Sequence, residues 1–185
     1  MLRYIAFLRG INVGGHRVKM DRLRAMFMEL GLEDVSTFIA SGNVLFSADS
    51  DDAAGLRDMI EGHLASELGY DVATFLRSPS ELAEVVAFRP TGVVTLTAAD
   101  PSHYVIFLAT GAPDSLRSEL TRLNSEMDHF YVAETEVHWL IQGKLTDSPL
   151  FDRRLDQATK GVRTTTRNMN TLRRIAAKTS SPEAA

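Results

Sequence analysis

The chain has 185 residues, 44% of them hydrophobic and 24% charged, with a formal net charge of −4 and no cysteine. This is the composition of a globular protein long enough to bury a core, as one domain or two small halves; it excludes disulfides, thiolate catalysis and cysteine-ligated zinc or iron–sulfur centres, and no apolar run approaches the roughly 20 residues that span a bilayer. The N-terminus lacks the apolar length and small-residue cleavage site of a signal peptide, so the expected location is the cytoplasm.

Residues 4–9 read as a strand. A glycine-rich loop follows, and then a helix over 19–30 with Met20, Leu23, Met26, Phe27 and Leu30 on one face, stopped at Gly31. Val35 to Ala40 and Val44 to Ser47 are short β-rich runs joined through Ser41-Gly42-Asn43, a hairpin signal. The acidic cluster Asp49-Ser50-Asp51-Asp52 can cap a helix that runs to about Leu68, with Leu56, Ile60, His63/Leu64 and Leu68 inward and Gly69 as its end. Asp71 to Leu76 closes the set as a strand. Ser78, Pro79 and Glu81 stand at the N-cap, N1 and N3 positions of a capping box that opens a short helix.

Residues 89–102, with Pro90, Gly92 and Pro101, read as a connection that could hold a strand at 93–96. Beyond it come a strand from His103 to Ala109, a helix from Pro113 to Asn124 and a hairpin of Phe130 to Ala133 with Val137 to Ile141. A helical stretch over 150–159 follows, then a terminal helix from Asn168 to Lys178 and a frayed tail from Thr179. The order predicts an α+β fold of two ferredoxin-like, βαββαβ-type halves with antiparallel sheets and helices packed on them, residues 1–88 and 89–185.

Charge is segregated. Residues 1–24 and 160–185 each hold six basic side chains and one acidic, whereas 25–159 holds eight basic and 22 acidic. If the two ends meet, they form a basic patch on an acidic body; otherwise they are solvated helix faces. The loop Arg9-Gly10-Ile11-Asn12-Val13-Gly14-Gly15 sits between strand and helix, where backbone N–H groups can face an anion. Gly10 and Gly15 have P-loop spacing, but His16 and Arg17 stand where lysine and a hydroxyl residue are needed, so nucleotide hydrolysis of that type is not expected. The glycines equally suit a tight connection with positive φ.

Three stretches together resemble a known family. Phe7-Leu8-Arg9-Gly10-Ile11-Asn12-Val13-Gly14-Gly15, Thr37-Phe38-Ile39-Ala40-Ser41-Gly42-Asn43-Val44 and Thr166-Arg167-Asn168-Met169-Asn170-Thr171 resemble, in this order, motifs of bacterial domain-of-unknown-function family 1697. Met169 stands where that family is expected to carry tryptophan. The resemblance implies a fold of ferredoxin-like α+β units and no established biochemical function.

The polar members of these motifs define a candidate site: Arg9, Asn12, Gly14, Gly15, Lys19, Ser41, Asn43, Arg167 and Asn168, with Asn170 beside them. Guanidinium and ammonium groups, amides, a hydroxyl and exposed backbone N–H suit a small phosphate-bearing or carboxylate ligand better than they suit acid–base catalysis. Each asparagine taken singly also fits a turn or cap. The cofactor, any reaction and the oligomeric state are not specified by these residues.

Two other readings compete. An RNA-binding sheet could use Tyr4 and Phe7 or Tyr104 and Phe107 as stacking rings, but the acidic middle opposes a long backbone. A protein-interaction domain could pair through an exposed strand edge as a homodimer. The five histidines lack metal-ligand spacing; Asp128-His129 and Glu136 with His138 could meet across a hairpin, but such pairs arise there by chance, and no metal is expected. Trp139 reads as core.

Overall fold

The computed structural model of the chain describes residues 1–12, 15, 17–39, 42–89, 101–151 and 153–180. It divides into two compact units, one of Met1–Val85 with the chain from Ile175, the other of Val86–Arg174.

The first unit runs β1 (Leu2–Leu8), α1 (Met20–Glu29), β2 (Glu33–Thr37), β3 (Asn43–Ala48), α2 (Ala53–Leu68), β4 (Thr74–Arg77). Its strands pair antiparallel in the order β2-β3-β1-β4. Tyr4, Ala6 and Leu8 of β1 and Val44 and Phe46 of β3 share a core with Leu23, Met26 and Phe27 of α1 and Leu56, Ile60 and Leu64 of α2. The alternate residues Ile5, Phe7 and Leu45 are buried as well. Burial on both faces is why β1 and β3 read as continuous apolar runs rather than as alternating strands.

The helix ends follow the expected chemistry. Asp52 caps α2, its Oδ1 accepting the Gly55 N–H at 2.9 Å. Gly69 ends that helix in a left-handed conformation, its N–H donating to the Ala65 carbonyl. Before α3 (Pro79–Ala87) the capping box is complete: the Glu81 N–H donates to Ser78 Oγ at 3.2 Å and the Ser78 N–H to Glu81 Oε2 at 2.6 Å.

β2 departs from the sequence reading, lying over Glu33–Thr37 rather than 35–40. Its register shifts between Glu33 and Ser36, around Asp34 at φ 48°. Asp34 is pinned there, its Oδ2 accepting from Ser47 Oγ at 2.9 Å and its carbonyl from Arg3 at 3.3 Å. A bulge of this kind shifts the pairing that a strict two-residue alternation would predict.

The second unit repeats the plan: β5 (Ser102–Leu108), α4 (Asp114–Arg122), β6 (Asp128–Val132), β7 (Glu136–Ile141), a 3-10 turn at Leu145–Asp147, α5 (Arg153–Ala158), β8 (Thr164–Asn168) and α6 (Met169–Ser180). The antiparallel order β6-β7-β5-β8 matches that of the first sheet. Ile106, Leu108, Val137, Trp139 and Ile141 pack with Leu116 and Leu120 of α4. Strand β8 corrects the sequence reading, which had no strand between 159 and the terminal helix. Its run Thr164-Thr165-Thr166-Arg167-Asn168 is β-branched but polar, so it carries β-propensity without the apolar signal of a core strand.

Helix α6 begins one residue later than expected because Asn168 is its cap: Oδ1 accepts the Asn170 N–H at 2.8 Å. It continues through Thr179 to Ser180. The strand expected at 93–96 lies outside the described residues. No helix among the described residues is long and apolar enough to cross a membrane.

Candidate functional site

Two of the three sequence motifs meet in the first unit. The Leu8 N–H donates to the Gly42 carbonyl at 2.8 Å, seating Gly42 against the end of β1. Gly42 has φ +72°, and a Cβ there would lie 2.6 Å from Ile11 Cγ2 and 3.2 Å from Leu8 Cβ. Both the backbone angle and the close approach require glycine. Gly42→Ala is therefore expected to destabilise the first unit by about 1–3 kcal/mol in urea unfolding followed by circular dichroism. An unchanged midpoint would mean that the loop yields without cost.

Within this cluster Asn12 and Asn43 hold backbone. Asn12 Oδ1 accepts the Val18 N–H at 2.8 Å and so ties the loop to the approach of α1. Asn43 is fully buried, its Nδ2 donating to the Phe38 carbonyl at 3.0 Å. Arg9, Gly15 and Lys19 are exposed. Gly14 and Ser41 lie outside the described residues.

The third motif lies in the second unit. Arg167 is buried in β8, donating from Nη1 to Thr165 Oγ1 and to the Thr166 carbonyl, both at 2.8 Å. Burial pushes its guanidinium down to about 10. One residue on, Asn168 lines a cavity of about 340 Å³ with Asn170 and Arg173 of α6 and Ser102 and His103 of β5. The volume suits a small metabolite. Arg173 is oriented by Asn170, whose Oδ1 accepts from its Nη1 at 3.2 Å. No Asp or Glu lines the cavity among the described residues.

Two histidines meet at this cavity. His103 lines it, and its Nε2 lies 3.0 Å from Nδ1 of His138, which is buried on β7. The His138 ring stacks on Phe88, with centroids 3.7 Å apart and planes 11° apart. Burial, together with the Arg173 and Arg89 charges, lowers His103 to about 4. Burial and His103 itself lower His138 to about 3. Both rings are thus neutral at pH 7, and one donates to the other. The sequence offered no cue to this pair: 35 positions separate the two residues, and only the β5/β7 register, with Val105 opposite His138, brings them together.

The other sequence candidates fall differently. Asp128 shares a sheet face with Trp139, whereas His129, Glu136 and His138 alternate onto the opposite face, so the four do not converge. Among the described residues no three His, Asp or Glu side chains converge as metal ligands. Tyr4, Phe7 and Phe107 are buried, and Tyr104 is half-buried beside Trp139, so these rings form no exposed stacking platform.

Comparison with known proteins agrees with this architecture. The profile of a family described as protein of unknown function (DUF1697) matches residues 1–138, from β1 into β7. A solved structure, that of the conserved bacterial protein SP0830 from Streptococcus pneumoniae, is 23% identical, with a TM-score of 0.73 over 98% of this chain and 99% of that one. At that identity the likeness establishes the fold. No curated protein matches the chain.

Proposed function

The chain belongs to the family of proteins of unknown function DUF1697, and from that premise we propose that it binds a small anionic ligand, phosphate-bearing or carboxylate, in the cavity of the second unit. The observation that carries this reading is a cavity lined by an arginine and by no carboxylate among the described residues. An anion would supply the missing counter-charge. The Arg173 guanidinium can grip two oxygens at once, and its hydrogen bond to Asn170 sets its direction beforehand. Ser102, Asn168 and Asn170 add polar groups for the remaining oxygens, and the N-terminal end of α6 contributes a positive dipole.

The sequence also pointed to the glycine loop of the first unit. There the exposed Arg9 and Lys19 offer charge, while Asn12 and Asn43 support the backbone. The two locations are separable by experiment. In a thermal-shift titration with inorganic phosphate, pyrophosphate and citrate, at least one anion is expected to raise Tm. At 100 times its Kd the ligand adds about 2.7 kcal/mol, or roughly 5–10 °C for a chain of this size. Arg173→Ala should abolish the rise and Arg9→Ala should leave it. The reverse pattern would move the site to the loop, and no rise with any anion would remove the reading.

A further inference from the structure

The cavity contains one feature that charge alone does not use. His103 contributes a neutral ring to a site whose cation is Arg173. Its Nε2 is taken by His138 at 3.0 Å, which leaves Nδ1 as the ring's second nitrogen, on a residue that lines the cavity. His138 in turn is clamped, stacked face to face on Phe88 and with Tyr131 tilted against that same Phe88 ring at 5.8 Å. The pair therefore holds the His103 ring in a fixed plane at the cavity wall. A neutral imidazole gives an anion no charge; it donates or accepts a single hydrogen bond, according to tautomer. If Nε2 donates to His138, Nδ1 accepts; if Nε2 accepts, Nδ1 donates. A hydroxyl group can answer either state, because it is donor and acceptor at once, whereas an ionised oxygen answers only one.

We infer that the ligand of this cavity is a hydroxylated anion, with its charged group on Arg173 and a hydroxyl on Nδ1 of His103, and that His138 is a positioning residue that fixes the His103 ring. This rests on the anion-binding reading above. The chemical class is that of sugar phosphates, glycerol phosphates and hydroxy acids.

A pair of probes equal in charge separates the two ideas. Glycerol 3-phosphate and n-propyl phosphate share a phosphate monoester on three carbons, but only the first carries hydroxyls. By calorimetric titration the wild-type protein is expected to bind glycerol 3-phosphate about tenfold more tightly, the worth of one well-placed neutral hydrogen bond. His103→Phe keeps an aromatic ring in place and should bring the two affinities together, the ratio of the two being the quantity read. Nitrogen-15 spectra of the wild-type protein give a readout independent of any variant: the His103 Nδ1 resonance should shift with glycerol 3-phosphate and stay still with propyl phosphate. Equal affinity for both probes in the wild type, a preference that survives His103→Phe, or a silent Nδ1 would each overturn this inference while leaving anion binding intact. Binding of neither probe would remove both.

Discussion

Asp128→Ala is expected to destabilise the second unit by roughly 2–5 kcal/mol. Asp128 is fully buried, and its Oδ1 accepts two hydrogen bonds, from Trp139 Nε1 at 2.8 Å and from Ser148 Oγ at 2.7 Å. Ser148 Oγ also accepts the Leu150 N–H at 3.0 Å, so the carboxyl anchors the chain that leaves β7. Alanine would strand an indole N–H and a hydroxyl where water does not reach, and each orphan costs about 1–3 kcal/mol. Asp128→Asn retains an oxygen for both donors and should cost clearly less. Oδ2 meets no hydrogen-bond partner among the described residues, so the amide NH2 placed there breaks no existing hydrogen bond. The measurement is convenient, because Trp139 is the only tryptophan and reports on this unit alone. If alanine and asparagine shift the fluorescence-monitored urea midpoint equally, the two-donor network is not what holds this corner.

The second large effect is on pH. The two histidines at the cavity are held at about 4 and about 3, below the ordinary 6.5. In the unfolded chain both take up protons as the pH falls through 6.5, whereas the folded unit resists until about 4 and below. Between those limits the unfolded state binds more protons, so stability is complete above about 6.5 and drains away on acidification. The loss should reach roughly 2–4 kcal/mol by pH 4, discounted for the partial exposure of His103. Carboxylates add their own slope at the acid end, so the informative quantity is a difference. The double variant His103→Phe, His138→Phe should show a flatter stability profile than the wild type between pH 6.5 and 4.5, since phenylalanine stacks on Phe88 without titrating. Parallel profiles would show that the pair ionises as freely folded as unfolded.

Much of the fold was legible because local chemistry and burial agreed. The Leu23, Met26 and Phe27 stripe, the Asp52 cap, the Gly69 stop and the Ser78–Glu81 box each carry a signal in a few adjacent residues, and each does in the structure what the pattern implied. Strand β8 escaped notice because its residues are polar: the sheet supplies the pairing, through Arg167 opposite Val105, that the side chains do not advertise. The candidate site was legible in composition more than in place. Asparagine can grip a ligand or staple a turn with the same atoms, and it is the fold that bonds Asn12 and Asn43 to backbone and sets Asn168 and Asn170 at a cavity wall. Arg173 and His103 were visible as a basic helix residue and the start of a strand. Their convergence depends on the register of β5 against β8 and on the cap that starts α6, neither of which a linear pattern encodes.

The allocation of the chain from Ile175 to the first unit bears on how the protein is born. A ribosome delivers Met1–Val85 before Val86–Arg174, yet that first unit includes a segment, with Ile175 and Ala176 buried, that emerges only after Arg174. At about 5–20 residues per second, several seconds separate the two deliveries. Val86–Arg174 is continuous in sequence, so its sheet needs no later segment. Of the two units, the one made earlier is thus completed later, and until then the apolar surface that Ile175 and Ala176 help to cover stays open.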